Sequence, residues 1–333
     1  MTAPLELLGI GNAIVDVISR ADDALLADLG LAKGSMTLVD EQASTRIYAR
    51  MGPGTEVSGG SCANTIAGFA SFGGHAGYVG KVRDDQLGEV FRHDITALGV
   101  VFTTAPATAG PSTARCLILV TPDAQRTMAT YLGACVDLGP EDLDRAQVAA
   151  ARTVYLEGYL FDPPRAQEAF RTAAGIARAA GARVALTLSD SFCVDRHRQA
   201  FIDFTKAYVD VLFANESEIL ALTGGGDFEA AARMAAGLCP TIALTRSEKG
   251  SVVLHGGRAI TVPAHPVAQI VDTTGAGDLY AAGFLFGLAR DRELADCARL
   301  GGLAAAEVIS HVGPRPIARL ADLAARELPF VAG

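Results

Sequence analysis

Asp272-Thr-Thr-Gly-Ala-Gly-Asp278-Leu-Tyr-Ala-Ala-Gly283 stands between a β-prone segment, Gln269 to Val271, and a long apolar run of helical character. Glycines just before a helix let several backbone N–H groups converge at its positive end, which makes an anion hole. Asp278 then sits where a carboxylate can take a proton from an incoming hydroxyl while those N–H groups hold a phosphoryl group beside it. A helix cap alone requires less than two carboxylates and two glycines in seven residues.

Working outward, short runs rich in Val, Leu and Ile alternate with Ala-rich segments of helical period, the pattern of βαβ units around a parallel sheet. Thr153 to Leu156, Arg183 to Leu188, Val209 to Phe213 and Thr241 to Leu244 read as buried strands. Pro164 to Ala180, Ser217 to Leu222 and Phe228 to Leu238 read as helices, and Asp278 to Ile309 as mostly helical. Two regions break the rhythm, about 12–39 and 100–131, and are read as a small β lid. Within the second, Ala114 to Val120 and Arg126 to Tyr131 form the arms of a hairpin turned at Thr121-Pro-Asp-Ala124. No repeat or linker divides the chain, so one domain over 1–333 is expected.

The 333 residues are 50% apolar, with 28 Lys and Arg against 37 Asp and Glu, for a formal charge of −9. An acidic globular chain of this kind is a poor partner for nucleic acid or anionic membrane. The apolar stretch from Leu279 to Ala289 falls well short of the ~20 residues of a membrane span, and no basic leader opens the chain, so a cytoplasmic protein is expected. The six cysteines never stand at C-x-x-C spacing and read as free thiols.

Several familiar patterns fail at decisive positions. The third glycine of a dinucleotide fingerprint falls on Ile14 after Gly9-Ile-Gly11, and on Tyr280 after Gly275-Ala-Gly277. A phosphate loop at Gly80-Lys81 meets His75 and Val82 where Gly and Ser or Thr are needed. A nucleophile elbow at Gly59-Gly-Ser61 ends on Ala63, and no H-E-x-x-H occurs. These failures disfavour oxidoreductase, serine-hydrolase and metallohydrolase readings.

A second glycine-rich element, Ser58-Gly-Gly60-Ser-Cys-Ala-Asn64-Thr-Ile-Ala-Gly68, also leads into a helix. Gly59 and Gly60 allow a ligand close to the backbone, and Asn64, one turn into the helix, can bond a hydroxyl pair. By itself the element is also an ordinary helix start.

The two segments together, with Gly73-Gly-His-Ala-Gly-Tyr-Val-Gly80-Lys-Val-Arg-Asp-Asp85-Gln-Leu-Gly88, resemble both signatures of the PfkB (ribokinase-like) small-molecule kinases. The resemblance covers essentially the whole chain. It implies an α/β fold: a three-layer sandwich with a mostly parallel central sheet between helices, carrying a small β-sheet lid. It also implies transfer of the γ-phosphoryl of ATP to an alcohol of a small-molecule acceptor, with Asp278 as base and Gly275, Ala276 and Gly277 as the anion hole. Asn12 and Asp16 match the early asparagine and aspartate, Asp16 holding substrate hydroxyls. Asn215-Glu-Ser-Glu218 matches the N-x-x-E element, which organises Mg2+ through water; the same four residues also read as a plain helix N-terminus. Thr245 and Gly250 match the nucleotide loop, where Ser247 replaces the usual middle glycine. Asp272 and Thr274 match positions that hold a monovalent cation such as K+ in some members.

Gly11-Asn-Ala-Ile-Val-Asp16 and Gly30 to Asp40 resemble the adenosine-kinase branch more than ribokinases. Tyr159 and Phe192 fall where that branch places aromatic residues against the purine, although each also suits the end of a buried strand. The expected acceptor is the 5′-hydroxyl of a nucleoside, adenosine first. The alternative is a free sugar such as ribose or fructose, and both monomer and homodimer are open. A silent PfkB-like regulator is disfavoured because Asp278 and its glycines are intact.

Overall fold

The strand Thr153–Glu157 is buried at every position, as a strand covered by helices on both faces must be. The computed structural model describes residues 4–123 and 125–328. Its strands are, in chain order, β1 (Leu7–Ile10), β2 (Ile14–Arg20), β3 (Met36–Leu38), β4 (Gly54–Gly59), β5 (Ala76–Val79), β6 (Val101–Phe102) and β7 (Ala114–Val120). They continue as β8 (Arg126–Tyr131), β9 (Thr153–Glu157), β10 (Arg183–Thr187), β11 (Val211–Asn215), β12 (Thr241–Thr245), β13 (Ser251–His255) and β14 (Arg258–Val262).

Nine strands form the main sheet in the order β14-β13-β12-β11-β10-β9-β1-β5-β6. Neighbours from β12 to β6 run parallel, and the two edge strands β13 and β14 are antiparallel. Period-two alternation splits each strand between two cores. Leu8, Leu156 and Leu212 join Phe170 and Phe201 on one face, while Leu7, Tyr155 and Phe213 join Tyr78 and Phe284 on the other. This is the α/β sandwich that the alternating pattern implies.

The second sheet has the order β3-β8-β7-β2-β4. β2 pairs antiparallel with β4 and parallel with β7, so Asp16 lies opposite Val57, and Ile14 opposite Gly59. The expected lid segments contribute β2, β3, β7 and β8, but two boundaries differ. β4 is a lid strand that the expectation omitted, because Gly54-Thr-Glu-Val-Ser-Gly is polar and glycine-bounded with no strong alternation. Val101–Phe102 instead pairs with β5 at the edge of the main sheet. The hairpin arms stand as expected, although Ala124 of the turn lies outside the described residues.

Gln269–Val271 forms no strand. Val271 donates its N–H to the carbonyl of Ile309 (2.8 Å), which ties the segment to a helix end rather than to a sheet edge. Beyond it, the helix Ala276–Ala289 is apolar all round and correspondingly buried. It packs against Ser61–Ser71, where Phe69 meets Phe286 edge-on at 5.8 Å and Phe72 stacks on it at 5.0 Å. The two glycine-rich elements are thereby brought together although they are far apart in sequence. All six cysteines are free thiols, and no helix among the described residues is long and apolar enough to cross a membrane.

Candidate active site

Polar residues gather where β1, β9, β10, β11 and β12 end, the crevice at which open parallel sheets bind ligands. A cleft of about 70 Å³ there is lined by Gly277 and Asp278, by Asn215, Glu218 and Thr245, and by Ser61, Thr187 and Ser189.

Asp278 lies in the first turn of the helix Ala276–Ala289. Its Oδ1 accepts from the Ser61 hydroxyl at 2.6 Å, and its Oδ2 from the Asn64 amide at 3.1 Å. Burial raises its carboxyl above the ordinary range, opposed by those two hydrogen bonds. Gly275 caps this helix, and the Ala276 N–H is already bonded to the carbonyl of Thr273 (3.3 Å). The N–H groups of Gly277 and Asp278 have no protein partner among the described residues. At this helix start the N–H groups left free for an anion are thus those of Gly277 and Asp278, while that of Ala276 is taken.

Asp16, on β2, is buried at 7% exposure, and its carboxylate accepts no hydrogen bond among the described residues. Burial pushes it up to about 6, against the pull of Arg315 and Arg126. Gly59 is required opposite it, since a Cβ there would collide with the Asp16 carboxylate. Gly60 takes φ +95 against the carbonyl of Asn12 and starts the helix that carries Ser61 and Asn64. An unpartnered carboxylate beside bare backbone is suited to a pair of adjacent hydroxyls.

Asn12 does not face the cleft as a free group. Its N–H and amide donate to Glu157 Oε1 at 3.3 and 2.7 Å, and Glu157 Oε2 accepts from the Cys62 N–H at 2.8 Å. Glu157, 1% exposed, ends β9. Burial pushes its carboxyl up to about 7, although those donors favour the ionised form. Asn64 likewise serves Asp278 rather than standing free, and its Oδ1 accepts from Arg315 Nε at 3.4 Å while Arg315 Nη1 donates to Ser58 Oγ at 2.7 Å.

Asn215 and Glu218 form a capping box: Asn215 Oδ1 accepts from the Glu218 N–H (2.9 Å), and Glu218 accepts from the Asn215 N–H (2.9 Å) and amide (2.7 Å). Burial pushes Glu218 up to about 7, with the nearby Asp190 and Asp278 charges adding to it. No group of three His, Cys, Asp or Glu among the described residues is placed to hold a metal ion. Glu218 and Asp278 line the same cleft, carboxylates that would suit a magnesium ion brought in with nucleotide phosphates and held through its waters.

The monovalent cation fares differently. Asp272 Oδ1 accepts from the Thr274 N–H (3.0 Å) and hydroxyl (2.7 Å), and Oδ2 accepts from the Gly313 N–H (2.9 Å) and from Arg126 of the lid strand β8. Arg126 also donates to the Thr274 hydroxyl at 2.7 Å. A guanidinium thus occupies both expected ligands, and these residues do not fit K+.

At the nucleotide loop, Thr245 lines the cleft, whereas Gly250 turns the chain away at φ +80. Ser247 adopts φ +51, the left-handed conformation for which glycine is usual there. Arg246 is drawn aside onto the Phe228 ring (3.6 Å) and Glu216 (3.1 Å). Phe192 is 72% exposed, so it is not a core residue, and it follows the cleft-lining Ser189 by three positions. Tyr159 is half-buried, with its phenol raised by burial and by the nearby charges of Asp190 and Glu157.

Residues that sequence reasoning missed are Glu157, Ser61, Ser189, Arg126 and Arg315. Glu157 had one signal, a carboxylate closing an otherwise apolar strand.

Comparison with known proteins identifies the family. The pfkB family carbohydrate kinase pattern matches residues 34–319. The crystal structure of adenosine kinase from Sinorhizobium meliloti is 53% identical, with a TM-score of 0.91 over 98% of this chain and 100% of that one. A probable sugar kinase from Rhizobium etli is 49% identical, with a TM-score of 0.92 over 99% and 100%. The adenosine kinase of Saccharomyces cerevisiae is 29% identical over 336 residues, 94% of this chain and 97% of the yeast protein. The chain belongs to the pfkB family of carbohydrate kinases, phosphotransferases with an alcohol group as acceptor. Within that family it falls in the adenosine-kinase-like branch.

Proposed function

We propose that the protein transfers the γ-phosphoryl of ATP to the 5′-hydroxyl of a nucleoside, adenosine first, yielding the 5′-monophosphate. The observation that carries this reading is Phe192, a large aromatic left 72% exposed three residues after the cleft-lining Ser189. Stacking on such a face holds a flat base, at roughly 1–3 kcal/mol per base in nucleic-acid complexes. On the lid, Met36 and Leu38 lie on one side of β3, at 48% and 56% exposure, and add apolar surface. The similarity to adenosine kinases supports the same acceptor.

In this reading Asp16 accepts from the ribose diol, and Asp278 takes the proton of the 5′-hydroxyl, with the Ser61 hydroxyl giving way on Oδ1. The Gly277 and Asp278 N–H groups receive the phosphoryl oxygens at the helix N-terminus. Asn215 and Thr245 border the nucleotide, and Glu218 orients water on its metal. Magnesium, when bound with ATP, neutralises charge on the transferring group. The chain acts as one kinase unit under a lid of β2, β3, β4, β7 and β8 that closes on the acceptor and excludes water. A cytoplasmic role in purine salvage follows from that acceptor.

A free-sugar acceptor is the second reading, favoured by the 49% identity to the probable sugar kinase. Asp16 and Asp278 serve either acceptor, so the test must vary the base. Adenosine, inosine, guanosine, ribose and fructose are compared by ADP formation. Adenosine should give the highest kcat/KM, and Phe192→Ala should weaken nucleosides while sparing sugars. Ribose or fructose ahead of every nucleoside overturns the nucleoside assignment.

A further inference from the structure

Ser189 lies two residues beyond the end of β10 and carries three features that no role described so far uses. Its φ is +67, in the left-handed region that non-glycine residues occupy only when the surroundings force them there. Its hydroxyl is buried and has no hydrogen-bond partner among the described residues. It lines the same cleft as Gly277, Asp278, Asn215 and Glu218.

The backbone is fixed from both ends. Leu188 donates its N–H to the carbonyl of Phe213 (3.0 Å), which holds the end of β10 beside β11. Asp190 caps the helix Ser191–Tyr208 by accepting from the N–H groups of Phe192 (2.8 Å) and Cys193 (3.0 Å). Between these anchors the chain must turn through a left-handed residue, which glycine would supply without strain. Serine there adds a side chain whose one donor is aimed at no protein acceptor, and buried polar groups left so are generally satisfied by a ligand or water. The neighbouring unpartnered groups of the cleft, the Gly277 and Asp278 N–H, are also donors. Donors that share one cleft and have no protein acceptor suit an anionic oxygen.

We propose that the Ser189 hydroxyl is a phosphoryl-binding group, donating its hydrogen bond to a non-bridging oxygen of the ATP phosphates as the γ-phosphoryl is transferred. This rests on the kinase reading and extends it to a residue on the β10 side of the cleft. Ser189 complements the helix N-terminus across the cleft, so the transferring group is held from two elements rather than one.

The test uses Ser189→Gly and Ser189→Ala in the full chain, with ATP and the best acceptor of the panel. Loss of a hydrogen bond to a charged oxygen predicts a kcat lower by about 10- to 100-fold in both variants. The acceptor KM should stay within about two-fold, and binding of a non-hydrolysable ATP analogue with Mg2+ should weaken measurably in calorimetry. Ser189→Gly should melt at or above the wild-type temperature because glycine relieves the positive φ, so its lost turnover cannot come from misfolding. Wild-type kcat and analogue affinity in Ser189→Gly overturn the proposal, as does a defect confined to the acceptor KM. A wild-type protein that forms no ADP with any acceptor overturns the kinase reading and this proposal together.

Discussion

Glu157→Gln tests whether the carboxylate at the end of β9 is held there against the stability of the fold. The group is 1% exposed, and its three donors come from Asn12 and Cys62. Its carboxyl rises from 4.5 to about 7 in the folded protein, worth roughly 3 kcal/mol between the protonated and ionised forms. Because the folded value is the higher one, the folded state binds more protons between those two limits. The contribution to stability is therefore full below about 4.5 and is lost as pH rises through about 7. Glutamine is isosteric with the protonated acid and does not titrate. Urea unfolding at pH 5 and pH 8 should show the two proteins close at pH 5. At pH 8 the variant should be the more stable by about 2–3 kcal/mol, while turnover falls because Asn12 and the start of the Ser61–Ser71 helix lose their charged anchor. Parallel stability profiles across this pH range would refute the buried ionisation.

Asp16→Asn should raise the acceptor KM about 10-fold or more by removing charge-assisted bonds to hydroxyls, and it should abolish an acid limb of kcat/KM near pH 6, where the wild-type Asp16 must ionise; an unchanged limb in initial-rate assays would assign it to another group. Because Arg126 satisfies Asp272 and Thr274, exchanging K+ for Na+ or a bulky ammonium at constant ionic strength should leave kcat unchanged within about two-fold. A strict K+ requirement would contradict that arrangement.

What was legible in the sequence depended on how local each signal was. The Asp272–Gly283 segment and the Asn215–Glu218 box are complete within a dozen residues, so spacing alone placed a glycine-led helix start and a capped one. The parallel strands were legible because both faces are apolar, with ends displaced by one or two residues. β4 was not, because its polar composition carries no period and its pairing with β2 is decided by the lid. Most of the misplaced roles came from contacts across long stretches of chain. Asn12 meets Glu157 at a separation of 145 residues, Ser61 meets Asp278 at 217, and Arg126 meets Asp272 at 146. A cation at Asp272 was a sound expectation from its own neighbourhood, and a guanidinium brought in by β8 removes it. Ser61 was visible only as a failed nucleophile elbow, and in the fold its hydroxyl donates to Asp278 instead.

The central claim is that Asp278 removes the proton from the acceptor hydroxyl while ATP donates its phosphoryl group. The most direct measurement is single-turnover formation of the monophosphate by wild type and Asp278→Asn, alongside acceptor binding by calorimetry. The side chain keeps its shape and its contact with Ser61, so acceptor affinity should change little while the rate of transfer falls by about 10²- to 10⁴-fold. A folded Asp278→Asn that binds the acceptor and transfers phosphoryl at close to the wild-type rate would contradict the mechanism.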